Sequence, residues 1–215
     1  MPSSRATSVP YVVNAVKQLK PESVLDVGVG FGKYGHLFRE YTDIVASEAE
    51  PARYEKSNWR CRVDGIEGHA AYLTPMHEYL YDTVHVGLAQ DVLPTLEDRT
   101  YDLVWIGDVI EHFTPEDGRQ VIAEAARVAK KAVLMATPSR FVAQEDACDN
   151  ELERHRSCWT KQDFKQAAGH LGRVLVKDLP GRKRMAAVLV DPTVALRIAP
   201  QGRPWSQRLG LTKAA

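Results

Sequence analysis

Three glycines alternate with other residues directly after a short apolar run, within Val24–Gly32. The run Ser23–Val27 has the composition of a buried strand, and Gly28, Gly30 and Gly32 follow it without a gap. Glycine is needed where the backbone turns tightly and contacts a ligand, because any Cβ would intrude. The motif therefore predicts a strand that passes through a ligand-binding turn into a helix.

An acidic residue lies inside this motif. Asp26 begins the pattern Asp-x-Gly-x-Gly-x-Gly, and a carboxylate is unfavourable beside a pyrophosphate but suits a cationic amino acid group. Nicotinamide-dependent oxidoreductases place a glycine-rich loop at the same point, so that class stays open as an alternative. It is disfavoured by Asp26 and by the lack of a Tyr-x-x-x-Lys pair for hydride transfer.

The rest of the chain alternates short apolar runs with amphipathic segments, which indicates a mainly parallel sheet covered by helices. The predicted strands are Ser23–Val27, Cys61–Glu67, Thr83–Leu88, Tyr101–Asp108, Ala132–Ala136, Val174–Leu179 and Met185–Val190. The predicted helices are Ser8–Leu19, Phe31–Glu40, a segment near Ala70–Tyr81, Thr114–Ala129 and Thr160–Ala168. The last two strands flank a turn-rich link and predict an antiparallel hairpin.

Length and composition fit one soluble α/β domain. The 215 residues suffice for one full-sized core, and no apolar stretch approaches a membrane span. The N-terminus lacks the features of a signal peptide. Cys61, Cys148 and Cys158 show no CxxC spacing, so we expect a reduced, cytoplasmic setting.

Charge is distributed unevenly along the chain. Residues 1–150 carry 15 Lys and Arg against 23 Asp and Glu, whereas residues 151–215 carry 13 against 5. The neutral total argues against a general polyanion binder, and nucleic acid is not an expected partner. The basic C-terminal third either favours an anionic substrate or neutralises the acidic remainder, and the sequence leaves both open.

Over about residues 9–191 the chain resembles the class I S-adenosylmethionine-dependent methyltransferases. The resemblance rests on Val24–Gly32, Arg62–Glu67, Tyr101–His112 and Val133–Pro138. It implies an α/β, Rossmann-like, seven-stranded and mostly parallel sheet in the order 3-2-1-4-5-7-6, with helices on both faces. It also implies S-adenosylmethionine as cofactor.

The predicted domain organisation follows from the same resemblance. Residues 1–191 form a single methyltransferase domain, in which 1–20 provide an N-terminal helix or lid and 41–58 an insertion. Residues 192–215 form a basic C-terminal tail that contains no acid.

In this family an acid at the end of the second strand binds the ribose hydroxyls, and that role falls on Glu67. Glu48 competes, because it follows Gly28 by 20 residues, near the usual spacing. If Glu48 ended the second strand, the predicted strand Cys61–Glu67 would have no position in the seven-stranded order, so Glu67 is preferred.

The third strand departs from the family pattern. It ends in Gly87-Leu88 where many members carry Gly-Asp, so a hydrogen bond to the adenine amino group would be missing. Such a bond contributes about 1 kcal/mol, and backbone groups near Leu88–Gln90 could still hold the adenine. The residues that the resemblance assigns to the cofactor are Asp26, Gly28, Gly30, Gly32, Glu67, Gly87, Leu88, Ala89 and Asp108.

After the fourth strand, Asp108, Glu111 and His112 have the spacing of one helical face. Asp-x-x-Glu-His is common in class I methyltransferases, and His155 before Trp159 resembles the small-RNA 2′-O-methyltransferases, which hold a divalent ion with such a cluster. The resemblance implies a divalent metal on Asp108, Glu111, His112 and His155. Without metal, His112 or His155 is the candidate general base, while Glu111 either joins the catalysis or braces the loop.

The expected function is methylation of a small-molecule or sugar-like hydroxyl group. The chain leaves little room for a module that recognises a macromolecule, and no candidate residue specifies the acceptor or the oligomeric state. A catalytically silent binding module is the remaining alternative, and Leu88 at the expected acid position is its one support.

Overall fold

The structure, a computed structural model, describes residues 4–146 and 150–198. The strands are β1 (Ser23–Val27), β2 (Arg62–Glu67), β3 (Thr83–Val86), β4 (Tyr101–Gly107), β5 (Ala129–Pro138), β6 (Arg173–Leu179) and β7 (Lys183–Leu189). The α-helices are α1 (Val9–Leu19), α2 (Lys33–Thr42), α3 (Pro75–Leu80), α4 (Ala89–Val92), α5 (Pro115–Val128) and α6 (Lys161–Ala168).

The seven strands form one sheet in the order β3-β2-β1-β4-β5-β7-β6. The first five strands pair in parallel, whereas β7 runs antiparallel to β5 and β6. The predicted strand order and C-terminal hairpin are therefore confirmed. The order places β1 beside β4. The succession of the parallel strands reverses at this point, and a crevice opens there at the carboxyl ends of the strands.

The helices cover both faces of the sheet, because successive side chains of each central strand point to opposite faces. In β4, Val104 and Ile106 belong to the core beneath α4, α5 and α6. Leu103 and Trp105 belong to the core beneath α1, α2 and α3. Burial on both faces explains why β4 reads as a continuous apolar run.

Most elements lie within two residues of their predicted bounds, and two differ by more. β5 covers Ala129–Pro138 rather than Ala132–Ala136, since it pairs with β4 on one side and β7 on the other. The segment 70–81 divides into a 3₁₀ turn and α3, because Thr74 and His77 form a capping box that starts a new helix.

The segment 41–58, which the sequence predicts as an insertion, contains the end of α2 and three short 3₁₀ turns around a buried carboxylate. Asp43 has no exposed surface and pairs with Arg39 and Arg53, both also buried. Its Oδ1 also accepts the backbone N–H groups of Arg60 and Cys61. This one side chain therefore ties the end of α2 to the insertion and to the approach to β2.

The first part of the predicted tail packs on the fold. Leu196 is buried in the core beneath α1, and the backbone of Arg197 bonds to Gln18. Residues 199–215 lie outside the described residues, as does Cys148, while Cys61 and Cys158 are free thiols. Within the described ranges, every helix is too short or too polar to cross a bilayer.

Asp43→Ala should lower the free energy of unfolding by about 3–5 kcal/mol, because it leaves the buried Arg53 guanidinium without its ion-pair partner and removes one of the two carboxylates that pair with the buried Arg39. Urea unfolding of both proteins measures the difference. Glu50→Ala removes the partner of Arg60 in an exposed ion pair and should cost less than about 1 kcal/mol. Equal losses in the two variants would contradict the structural role given to Asp43.

Candidate functional site

A cavity of about 800 Å³ opens at the carboxyl edge of the sheet. The ends of four parallel strands contribute to its lining, through Gly28 after β1, Glu67 in β2, Asp108 after β4 and Pro138 in β5. Ligands bind at this edge in open α/β sheets, at the point where the strand order reverses. The fold therefore places the site where the glycine motif predicts it.

The glycine turn needs its glycines for two physical reasons. Gly28, Gly30 and Gly32 all have positive φ, of 77°, 51° and 84°, which L side chains rarely adopt. A Cβ on Gly28 would lie 2.4 Å from Cγ2 of Val109, in the loop that follows β4. Gly28 and Gly30 line the cavity, whereas Gly32 does not and serves the turn alone.

Two side chains bind the two backbone polar groups of Gly30 and so fix the turn. Glu67 Oε2 accepts the Gly30 N–H at 2.9 Å, and His77 Nε2 donates to the Gly30 carbonyl at 2.9 Å. Glu67 Oε1 also accepts from the N–H of His69 at 2.9 Å. An ionised carboxylate has about four acceptor sites, so Glu67 can still accept bonds from a ligand. The competing Glu48 is exposed and does not line the cavity.

Asp26 lies behind the turn and does not line the cavity, contrary to the predicted contact with a cationic ligand. Its Oδ2 accepts from the Tyr81 hydroxyl at 2.6 Å, and that hydroxyl accepts the N–H of Gly35 in α2. Because Asp26 sits in the middle of the sheet, its side chain meets the helix layer rather than the ligand edge. Burial raises the pKa of Asp26 to about 7, and the charge of Glu67 adds to this.

At the third strand, Leu88, Ala89 and Gln90 line the cavity, and Gly87 does not. The Gln90 Oε1 atom is buried and has no hydrogen-bond partner in the described structure. A buried polar atom without a partner is costly, and a ligand can supply the missing bond. Gln90 thus places an amide two residues beyond Leu88, where the sequence predicted only backbone groups.

Asp108 does not join the predicted four-residue cluster. Its φ is 57°, and its Oδ2 forms an ion pair with Lys183, which is buried at the start of β7. The left-handed backbone at Asp108 breaks the helical spacing on which a shared face depended, and the turn that follows is a 3₁₀ turn over Ile110–His112.

Glu111, His112 and His155 do come together. One ligand atom from each lies within 4.8 Å of the others, and the two imidazole ring centroids are 4.9 Å apart. His112 Nδ1 donates to the Arg154 carbonyl at 3.2 Å, and His155 Nδ1 donates to the Val142 carbonyl at 2.7 Å. In a neutral ring this leaves Nε2 as the nitrogen with a lone pair.

The electrostatics of this cluster favour neutral groups. Burial, reinforced by the nearby Asp108 carboxylate, raises the pKa of Glu111 to about 8. Burial and the proximity of His155 lower the pKa of His112. The Glu111 Oε2 atom is buried without a hydrogen-bond partner among the described residues. The group can therefore receive a proton or bind a cation.

Loops that the sequence analysis did not assign to the cofactor end complete the cavity. Ser4 and Arg5 line it from the N-terminus, and Lys33 Nζ donates to the Ser4 carbonyl. The lid at residues 1–20 stays a prediction. On the opposite side, Asn150 and Glu153 line the cavity beside Glu67. Long-range packing positions these residues, and their local sequence carries no motif.

A protein-family model described as "Methyltransferase domain" matches residues 25–137, more than half of the chain. The chain belongs to the class I S-adenosylmethionine-dependent methyltransferases. The match contains the glycine turn, Glu67 and the Asp108–His112 segment. A search of curated proteins by sequence finds no match.

Solved structures show the same fold for this methyltransferase. PH0226 protein from Pyrococcus horikoshii OT3 is 19% identical, with a TM-score of 0.61, and the alignment covers 85% of this chain and 87% of that one. A SAM-dependent methyltransferase from Aquifex aeolicus is 16% identical, with a TM-score of 0.59 and coverage of 87% and 95%. An O-methyltransferase family protein from Burkholderia thailandensis is 14% identical, with a TM-score of 0.56 and coverage of 85% and 55%.

Asp26→Asn should make the stability of the methyltransferase less dependent on pH. A folded-state pKa of about 7, above the usual value, means that the wild type loses stability as pH rises from about 4 to 7. Asparagine can accept the Tyr81 bond and has no such titration. Urea unfolding at pH 5 and pH 8 should show a smaller decrease for the variant, by at least about 1 kcal/mol. An equal decrease in both proteins would contradict a buried, titrating Asp26.

Proposed function

We propose that this methyltransferase methylates a hydroxyl oxygen of a small molecule. The observation that carries the proposal is the pair of imidazoles, His112 and His155, oriented by backbone carbonyls with Nε2 as the available nitrogen. A hydroxyl group must lose its proton as it is methylated, and a neutral imidazole is suited to accept that proton near neutral pH.

The cofactor end is formed by Glu67, Gly28, Gly30 and Gln90. Glu67 would accept hydrogen bonds from the two ribose hydroxyl groups at acceptor sites not used by backbone N–H groups. The buried Oε1 of Gln90 would accept from the adenine amino group, which compensates for Leu88. S-adenosylmethionine supplies an electrophilic methyl group on a sulfonium, so the protein mainly has to position the acceptor.

The acceptor end is formed by the residues after β4 and β5 and by the loop that carries His155. The acceptor oxygen forms its bond to the methyl carbon as the carbon–sulfur bond breaks, and its proton passes to Nε2 of His112 or His155. Glu111, with a raised pKa of about 8, can hold a proton beside that pair. The O-methyltransferase family assignment of the Burkholderia thailandensis relative supports an oxygen acceptor.

Radiolabelled methyl transfer to a panel of sugars, phenols, amines and carboxylic acids tests the acceptor class. We expect label in ethers, which survive mild alkali, and not in methyl esters, which release methanol. Transfer to amines alone would contradict the proposal while leaving the methyltransferase assignment intact.

Glu67→Ala should weaken S-adenosylhomocysteine binding by about 1–3 kcal/mol in calorimetric titration, because charge-assisted hydrogen bonds to the ribose and to the glycine turn are lost. The matched control is Glu48→Ala, which should bind as the wild type does. If Glu48→Ala weakens binding and Glu67→Ala does not, the assignment of the ribose acid is wrong.

A divalent metal on Glu111, His112 and His155 is a second proposal for the same cluster. One carboxylate oxygen and two imidazole nitrogens suit zinc, manganese or iron, with water completing the coordination. The Nδ1 donation of both rings to carbonyls is the arrangement that metal-ligating histidines use. Asp108, which pairs with Lys183, is not in this ligand set. A metal would lower the pKa of a bound hydroxyl group.

Elemental analysis and Mn²⁺ titration distinguish the two forms of the proposal. If metal is used, the protein binds one equivalent, His155→Ala weakens binding at least tenfold, and chelation abolishes methyl transfer. His170→Ala, at an exposed histidine outside the cavity, serves as control. Full activity in a strong chelator would exclude the metal and leave the histidine base.

A further inference from the structure

Besides Arg5 of the N-terminal segment, three arginines line the cavity without ion-pair partners among the described residues. Arg140 follows β5, Arg156 follows His155, and Arg182 lies in the turn between β6 and β7. All three are exposed, and none has a carboxylate within ion-pair distance in the described ranges. Charged side chains around a ligand cavity that are not neutralised by the protein indicate a complementary ligand charge.

Backbone bonds hold these arginines at the proposed acceptor end. The Ser139 N–H donates to the Arg182 carbonyl at 3.0 Å, which joins the segment of Arg140 to the hairpin turn. The Arg156 N–H donates to the Glu111 carbonyl at 2.8 Å. The arginines therefore come from three separate segments of the cavity lining, and the backbone of Arg156 is bonded directly to Glu111 of the histidine cluster.

The backbone of Arg182 has a conformation that is unusual for an arginine. Its φ is 63°, in the left-handed region, where glycine, asparagine or aspartate fits more easily than arginine. The turn already contains Gly181, with φ of 75°. An unfavourable residue at a loop tip that lines a cavity suggests that its side chain is needed there.

Three acidic residues near these arginines are already paired with other bases. Asp108 is neutralised by Lys183, while Glu145 and Asp146 pair with Arg154. These pairs leave Arg140, Arg156 and Arg182 without an ion-pair partner among the described residues.

We propose that Arg140, Arg156 and Arg182 form a subsite for a phosphate group carried by the methyl acceptor. Guanidinium groups offer paired N–H donors that match phosphate oxygens, and three of them suit a multiply charged group better than a single carboxylate. The inference rests on the proposed function, since it describes the acceptor of the same site. The substrate class is then a small phosphorylated molecule with a free hydroxyl group.

Calorimetric titration of the protein saturated with S-adenosylhomocysteine tests the subsite. The probes are pyrophosphate, glycerol 3-phosphate and glycerol, with citrate as a carboxylate probe. We expect both phosphates to bind and glycerol not to bind. Arg140→Gln/Arg182→Gln should weaken phosphate binding at least tenfold, whereas affinity for S-adenosylhomocysteine should stay within twofold.

The matched control is Arg119→Gln, since Arg119 is an exposed arginine of α5 outside the cavity. Phosphate binding that is absent, or equal in the wild type and the double variant, overturns the subsite. Citrate binding without phosphate binding also overturns it. A short RNA that binds more than 100-fold more tightly than pyrophosphate would overturn the small acceptor. If the wild-type protein does not bind S-adenosylhomocysteine, the proposed function is overturned instead.

Discussion

The contact between the loops that follow β1 and β4 is the constraint on which the site depends. These strands are neighbours in the sheet, and their loops leave its edge toward opposite faces, which opens the cavity between them. The glycine turn can pass there because Gly28 has no side chain to meet Val109, 2.4 Å from the position of a Cβ. Glu67 and His77 then fix Gly30 from two sides. The shape of the ligand-binding edge thus depends on the backbone conformation of the glycine turn, which the two side chains then stabilise.

Four carboxyl groups near this edge have different environments, and they differ accordingly in their bonding partners and in their pKa. Asp26 is buried behind the turn against Tyr81, and burial raises its pKa to about 7. Glu67 accepts backbone N–H groups, and Asp108 is paired with Lys183. Burial raises the pKa of Glu111 to about 8, beside two imidazoles. One end of the cavity thus offers a hydrogen-bonding carboxylate, and the other offers groups that exchange protons or bind a cation.

The loop that carries His155 is fixed to the body of the fold by buried polar contacts. The Trp159 indole N–H donates to the Ile110 carbonyl at 3.2 Å, and the Ser157 hydroxyl bonds to the same carbonyl at 3.3 Å. The Trp159 ring also packs where a Cβ on Gly118 would lie. These contacts join residues more than 40 positions apart and hold the two histidines together, and the proposed role of the pair requires such preorganisation.

The sequence by itself determined the alternation of strands and helices, the position of the glycine turn and the helix that Thr160 caps, because periodicity, glycine chemistry and capping are local. The strand order followed from the resemblance to the family. The choice of Glu67 over Glu48 followed from the count of strands. Only the tertiary structure decided that Asp26 faces Tyr81, that Asp108 pairs with Lys183, and that Arg140 and Arg182 share a cavity wall. Side-chain partners depend on which elements the fold brings together and on how burial and charge are balanced there, and residues far apart in the chain carry no local signal of that.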